Sequence, residues 1–521
     1  MTARQSAGSR EAAAPMLNEY ETRIREACRR VYELARRTSL DHAPSLSRRH
    51  GNCIRLKRED QQPVFSYKLR GAYNLMASLP AAAREGGVVA ASAGNHAQGV
   101  ALAARRLKLR AVIVMPRTTP DIKVRAVRNL QAKVILRGNT YDEAREYGAQ
   151  MASAEGLAWI PPYDHPLVIA GQGTVGAEIL EQHPGRLRMV FVPVGGGGLI
   201  GGIAAWLKQR EPGIRIIGVE PDEAPCMYEA LRAGRRVRLE KIGIFADGAA
   251  VSQVGAEPFR LARELVDEVL LANTDEICAA VKDIFEDTRC VPEPAGALAL
   301  AGLKQFVARE GIRGQELVAV LSGANVNFDR LRHIAELAAL GEHQEALFAV
   351  TIPERPGSFR AFCRALGARQ ITEFNYRYAH SRQAHVFVGV QLKQGVKEKQ
   401  ALQRKLERKK YPVIDLSENE LAKMHIRYTI GGHAPHAQNE LLYRFEFPER
   451  TGALLNFLTR MVGRWNISLF HYRNHGAAYG RVMVGLQVPP AERKDFQDFV
   501  RRLRIKYWEE TDNPAYSLFL G

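Results

Sequence analysis

From about residue 20 to 340, short runs rich in Val, Ile and Leu alternate with alanine-rich stretches of helical spacing, and this alternation restricts the fold more than any other feature. The runs at 88–91, 110–115, 133–136, 189–194, 215–220 and 317–321 are nearly continuously apolar. A strand buried on both faces reads this way, whereas a half-solvated strand alternates apolar and polar residues. The stretches at 99–107 and 140–154 carry alanine at helical spacing. Strand, helix, strand in repetition predicts parallel sheets with helices on both faces.

At about residue 345 the texture changes and a repeat begins. Phe348 to Phe359 contains Pro353-Glu354-Arg355-Pro-Gly357, and Tyr443 to Leu454 contains Pro448-Glu449-Arg450-Thr-Gly452, 95 residues later. Ile371 to Arg377 matches Ile467 to Arg473, and Val388-Gly389-Val390 matches Val484-Gly485-Leu486, both 96 residues apart. Three blocks in one order define a duplicated unit. Each unit reads strand, Pro-Glu-Arg-x-Gly turn, helix, strand, strand, a small α+β module. The expected division is a tail at 1–19, an α/β domain at 20–340, a first module at 345–417, a connector at 418–440 and a second module at 441–521.

Several function classes are excluded by composition. The formal charge is +18, and its sharpest basic run is 397–410. Leu402 and Leu406 sit four apart within that run, which marks the buried stripe of a solvated helix. No helix-turn-helix, zinc finger or RNP-like motif accompanies the charge, so no nucleic-acid partner is expected. No stretch reaches the roughly 18 apolar residues of a membrane span, so no membrane partner is expected either. The six cysteines form no CxxC pair, which predicts neither a metal site nor a disulfide framework and fits a reducing, cytoplasmic location. The first fifteen residues hold two arginines and no apolar core, as in a cytosolic tail; a transit peptide is the alternative.

Four motifs carry chemistry. In Ser66-Tyr67-Lys68-Leu69-Arg70-Gly71-Ala72, Lys68 opens an apolar stretch. It is either a snorkelling side chain or a desolvated amine able to attack a carbonyl. Ser92-Ala93-Gly94-Asn95-His96 follows the 88–91 run and puts small residues at a helix start, where backbone N–H groups attract carboxylates. An ordinary serine-capped turn explains Ser92 but not Asn95 and His96. Gly195-Gly196-Gly197-Gly198-Leu199 follows the 189–194 run. Four glycines give up much entropy on folding, which close approach to a phosphate repays. No Gly-Lys-Ser/Thr follows, so this is no P-loop, and an isolated phosphate ester suits it better than a dinucleotide. Leu321-Ser322-Gly323-Ala324-Asn325-Val-Asn327 closes the 317–321 run, and by itself reads as a polar turn.

These four motifs, in this order, resemble the fold-type-II pyridoxal-phosphate enzymes, the tryptophan-synthase-β-like family, and within them the biosynthetic threonine ammonia-lyases. The resemblance implies two parallel-sheet α/β subdomains in a catalytic domain at 20–340, followed by two ACT-like α+β modules. It implies pyridoxal 5'-phosphate as cofactor, with Lys68 as its covalent lysine and the catalytic residue. Asn95, Gly195, Gly196, Gly197, Gly198, Leu199 and Ser322 are the further cofactor contacts so implied. In that reading Asn95 meets the phenolic oxygen, the glycines meet the phosphate and Ser322 faces the pyridine nitrogen. Ser92, Ala93, Gly94, Asn95 and His96 are implied to hold the substrate carboxylate. The blocks Phe245-Ala-Asp-Gly248-Ala-Ala-Val and Glu293-Pro-Ala-Gly296-Ala resemble two more near the cofactor ring. The implied activity is conversion of L-threonine to 2-oxobutanoate and ammonia, the first step of isoleucine biosynthesis. Isoleucine is the implied inhibitor and valine its antagonist, with Thr451, Gly452, Ala453, Leu454 and Leu455 at the effector site. A homotetramer and no metal are expected. The competing readings are a serine/threonine dehydratase, serine racemase, threonine synthase or diaminopropionate ammonia-lyase of the same fold, or a non-enzymatic amino-acid sensor.

Overall fold

The structure is a computed structural model. It describes residues 7–341, 344–378, 382–419, 422, 426–428, 434, 436–448, 453–460, 464–473, 479–503, 505–513, 516 and 520. The chain divides into two compact units, Met1–Gly341 and Glu342–Gly521.

The first unit is built on two sheets. One has six strands in the order Leu40–His42, Cys53–Arg58, Glu316–Leu321, Met189–Pro193, Arg215–Pro221, Glu268–Ala272. All neighbours are parallel except the first pair. The other has four parallel strands, Lys133–Leu136, Ala111–Met115, Val88–Ala91 and Ala158–Trp159. The Val88–Ala91, Ala111–Met115 and Met189–Pro193 strands are buried at every residue, as their unbroken apolar runs require. The helix expected at 99–107 starts earlier, at Asn95, so Asn95 and His96 lie on its first turn.

One expectation shifts. The segment set aside as a tail at 1–19 is entered by a helix, Ala7–Arg30. Its residues Met16, Tyr20, Ile24 and Ala27 are buried in the core of the unit. Their spacing of four, four and three is an apolar helical stripe that the polar make-up of the first fifteen residues hides. The Tyr20 hydroxyl donates to Glu257 at 2.7 Å.

Four charged side chains that are 0% exposed, Lys57, Glu59, Arg70 and Glu178, form one cluster inside this unit. Arg70 donates to both oxygens of Glu59 at 2.7 Å and to Glu178 at 2.6 Å. Lys57 donates to the other Glu178 oxygen at 2.6 Å. Two positive and two negative groups cancel, and the cluster ties the Cys53–Arg58 strand to the helices Lys68–Ala77 and Pro166–Gln182.

The second unit is one antiparallel sheet of eight strands. Their order is Val413–Asp415, Glu345–Pro353, Gln383–Gln391, Ile371–Arg377, Asn466–Arg473, Tyr479–Gln487, Glu440–Pro448, Lys506–Glu509. The order reads the same from both ends once the 95- and 96-residue offsets are applied, so each repeat is one half. The halves join where Ile371–Arg377 pairs with Asn466–Arg473. Each half carries a further helix and edge strand: Gly395–Arg408, the helix expected at the basic run, with Val413–Asp415, and Arg493–Arg502 with Lys506–Glu509. Leu402 and Leu406 of the basic helix are buried, and its charged faces are not. Much of the connector at 418–440 lies outside the described residues. Among the described residues no helix is long and apolar enough to cross a membrane, and no cluster could hold a metal.

Removing one member of a neutral buried cluster strands the others as unpaired charges. Glu178→Gln should therefore cost about 3 kcal/mol of stability, read as a lowered urea midpoint. A loss below about 1 kcal/mol would show that the cluster does not hold these elements together.

Candidate active site

Lys68 is the first residue of the helix Lys68–Ala77. The segment before it is sewn to the turn that follows the Glu316–Leu321 strand. Tyr67 N–H donates to Ser322 O at 3.3 Å, and Ala324 N–H donates to Phe65 O at 2.9 Å. Asn325 Nδ2 donates to Val64 O at 2.8 Å. Phe65 has φ of 56°, a left-handed conformation costly for a bulky residue and held here by its neighbours' bonds. The first and fourth motifs are thus one structural unit. Lys68 Nζ donates to Pro162 O at 3.2 Å. Burial lowers the Lys68 ammonium to about 8, against the opposing charge of Glu293.

The second motif comes close because the helix Asn95–Leu107 packs on the start of the Lys68 helix. A Cβ at Gly99 would lie 3.1 Å from the Leu69 nitrogen, so only glycine permits this approach without a shift. Ser92 Oγ accepts from Gly94 N–H at 3.2 Å. His96 is buried, and its Nε2 meets Ile160 O at 2.8 Å. Burial and the nearby Lys68 push His96 down to about 3, so it is a neutral donor. Asn95 Nδ2 donates to Glu293 Oε1 at 2.6 Å, and Asn95 Oδ1 accepts from Asn325 Nδ2 at 2.7 Å.

The tetraglycine joins the Met189–Pro193 strand to the helix Gly198–Arg210. A Cβ at Gly196 would sit 2.2 Å from the Tyr163 ring, and one at Gly195 would sit 3.0 Å from the Ala249 backbone. Ala249 belongs to the block that begins at Phe245, which therefore lies against the glycines. Among the described residues, none accepts from the backbone N–H groups of Gly195 to Gly198. Four free donors at a helix N-terminus are a cradle for an anion. Leu199 is buried directly behind them. Ser322 is buried, and its hydroxyl reaches only Ala295 O, at 3.4 Å.

A desolvated amine, a free anion cradle and a neutral hydroxyl together fit an aromatic aldehyde bearing a phosphate ester, the chemistry of pyridoxal phosphate. Four neighbours of this set carry no assigned role in the sequence. Glu293 stands in a recognised block, but its carboxyl was not singled out. Its signal was an acid ahead of Pro294 that makes no bond to its own helix start. Asn325 stands in the Ser322 motif and was passed over as a turn residue. Tyr163 and Pro162 belong to no motif.

The expected effector residues fall differently. Thr451 and Gly452 lie outside the described residues, and Ala453 opens the helix Ala453–Arg460. Leu454 is buried in the core and Leu455 is packed against it. A cavity lies at the other turn. It is lined by Arg355, Gly357 and Phe359 from the first module and by Trp465, Asn466 and Leu486 from the second. Leu454 and Leu455 do not line it.

The family described as pyridoxal-phosphate dependent enzyme matches residues 31–323. The family described as the C-terminal regulatory domain of threonine dehydratase matches residues 336–426 and 431–520. A biosynthetic L-threonine dehydratase of Burkholderia multivorans is 53% identical over 495 residues, 94% of this chain and 97% of the relative. The corresponding protein of Escherichia coli is 50% identical over 491 residues, 94% of this chain and 95% of the relative. The solved structure of the processed form of threonine deaminase isoform 2 from Solanum lycopersicum is 46% identical. It covers 62% of this chain and 89% of its own, with a TM-score of 0.61.

Only a neutral amine attacks an aldehyde, and its share rises with pH up to the pKa. Uptake of pyridoxal phosphate by cofactor-free protein should therefore rise about tenfold per pH unit and level off near the Lys68 value of about 8. Stopped-flow absorbance measures this, and a rate still climbing at about pH 10 would mean that Lys68 is solvated.

Proposed function

The chain belongs to the biosynthetic threonine dehydratases, and on that footing we propose that it converts L-threonine to 2-oxobutanoate and ammonia with Lys68 as base and covalent anchor of pyridoxal 5'-phosphate. The overall change is loss of the β-hydroxyl as water, followed by return of a water as ammonia leaves. Bound pyridoxal phosphate supplies the electron sink that makes the Cα proton removable. The Lys68 amine, held near 8, is neutral often enough at neutral pH to take that proton and basic enough to keep it. The observation that carries the reading is this amine beside Pro162 O, in one chamber with an unclaimed anion cradle.

The other roles follow from the donors available. The Ser92 to Asn95 turn, at a helix N-terminus, holds the substrate carboxylate. His96 secures that turn through Ile160, and its neutrality keeps a second positive charge out of the chamber. Gly195 to Gly198 with Leu199 hold the phosphate. Ser322 faces the pyridine nitrogen as an uncharged hydroxyl. It cannot hold a proton there as a carboxylate would, which favours elimination over transamination.

Regulation belongs to the second unit. The cavity at the Arg355–Gly357 turn sets apolar walls such as Phe359, Leu458, Ile467 and Leu486 beside the polar Arg355, Arg360 and Asn466, a combination that suits a branched amino acid. We assign isoleucine to it as inhibitor, with valine as antagonist. Coupling of about 1–3 kcal/mol changes substrate affinity roughly 5- to 150-fold, and threonine weakens isoleucine binding by the same factor. A homotetramer is the assembly in keeping with this reading, and a cytoplasmic location is in keeping with six cysteines that form no disulfide.

The test is keto-acid release from L-threonine by the full chain and by a chain ending at Gly341, with and without isoleucine. Both should release 2-oxobutanoate, and only the full chain should be inhibited. Undiminished inhibition of an active truncated chain would move the effector site into the first unit. No 2-oxobutanoate from the full chain, with pyruvate from serine instead, would favour a serine dehydratase.

A further inference from the structure

Asn95 is gripped from two sides. Its Nδ2 donates to Glu293 Oε1 at 2.6 Å, and its Oδ1 accepts from Asn325 Nδ2 at 2.7 Å. Asn325 is itself fixed by its bond to Val64 O at 2.8 Å. An amide nitrogen has two hydrogens, so one Asn95 N–H remains to offer. Turning the amide over would set its oxygen against the Glu293 carboxylate and its nitrogen against the Asn325 nitrogen. Both contacts would repel. An ionised Glu293 therefore makes Asn95 a donor toward the chamber and never an acceptor.

Glu293 is placed for this and for nothing else visible. It is 5% exposed and stands at the start of the helix Pro294–Glu310 without capping it. A Cβ on Gly323 would lie 2.7 Å from its Oε1, and one on Gly248 would lie 3.4 Å away, so two turns leave a slot for the carboxyl. The charged groups facing it come from three other elements: Lys68, Asp247 and Lys123. The phenol of Tyr67 also feels it. Burial and then Asp247 raise the Glu293 carboxyl to about 7, while the Asn95 bond, Lys123 and Lys68 pull the other way. The group thus changes charge inside the working range of a neutral-pH enzyme.

We propose that Glu293 is a positioning residue for the elimination: as an acceptor-only carboxylate it holds Asn95 with its one free amide hydrogen toward the cofactor's phenolic oxygen, and once protonated it can donate as well as accept and no longer sets which way the amide faces. This rests on the reading that Asn95 meets that oxygen. The Asn95 hydrogen bond to the cofactor tunes the colour of the bound group as well as the rate. Glu293 therefore has a signature that a packing residue lacks.

The experiment uses the holoenzyme and its Glu293→Gln variant from about pH 6 to about pH 9. Gln keeps an acceptor oxygen for Asn95 but cannot titrate. In the unaltered enzyme, kcat/KM for threonine should rise about tenfold per pH unit and level near the Glu293 value of about 7. The visible band of the bound cofactor, read without substrate, should shift with the same midpoint. In Glu293→Gln both should be flat across that range. Asn325→Ala should keep the midpoint and lower kcat, because it loosens Asn95 without touching the carboxyl. A Gln variant that retains the acid limb and the band shift overturns the proposal. So does an unaltered enzyme whose band does not titrate near 7, which keeps the test decisive even if the Gln variant fails to fold. Failure of the elimination reading is distinct: it shows as no 2-oxobutanoate at any pH, while the band titration still judges Glu293.

Discussion

The place of the Lys68 amine depends on the Arg70 guanidinium, buried two residues further on and clamped between Glu59 and Glu178. A guanidinium cannot shed its charge, so a buried arginine must be matched by acids at fixed positions. Here Glu59 comes from the turn after one strand and Glu178 from a helix on the core. Lys57 balances the second acid, which leaves the cluster neutral. The helix that begins with Lys68 therefore cannot slide or rotate without breaking charge-assisted bonds inside the core. Precision in a nucleophile comes from such remote over-determination more than from its own contacts, here a bond to Pro162 O and the face of the Tyr67 ring.

Among the described residues, the charged neighbours of the Lys68 site are Glu293 and, beyond it, Asp247 and Lys123. The other walls of the site are backbone N–H groups, amides and a hydroxyl, and its one histidine is neutral. The strongest charge partner of Lys68 is Glu293, and burial moves the two groups in opposite senses, down to about 8 and up to about 7. A pair with converging pKa values can exchange roles with small changes in surroundings. The anion cradle uses the same economy. Glycine at 196 is dictated by the Tyr163 ring behind it, and the bare backbone that results presents its donors on the other side.

Much of this was legible in the chain. Strands buried on both faces print themselves as unbroken runs, and three of the four motifs sit directly after such a run. The duplicated module was legible because a turn such as Pro-Glu-Arg-x-Gly is a local structure with a local signature. What was not legible depends on long-range contact. The pairing of Ile371–Arg377 with Asn466–Arg473, which fuses two modules into one sheet, leaves no local pattern. The direction of the Glu293 side chain is settled by Asn95, 198 residues away. The cavity at Arg355–Gly357 borrows its far wall from the second module, a contact that no local pattern records. The stripe of Met16, Tyr20 and Ile24 was masked by the polar residues ahead of it.

The central claim is that Lys68, desolvated and not tied to a carboxylate as the buried Lys57 is, is the amine that takes the carbonyl of pyridoxal phosphate. Borohydride reduction of the holoenzyme, followed by peptide mapping, tests it most directly. The account predicts one pyridoxyl group per chain, on Lys68. A pyridoxyl group fixed on any other lysine, or none fixed at all, would contradict it.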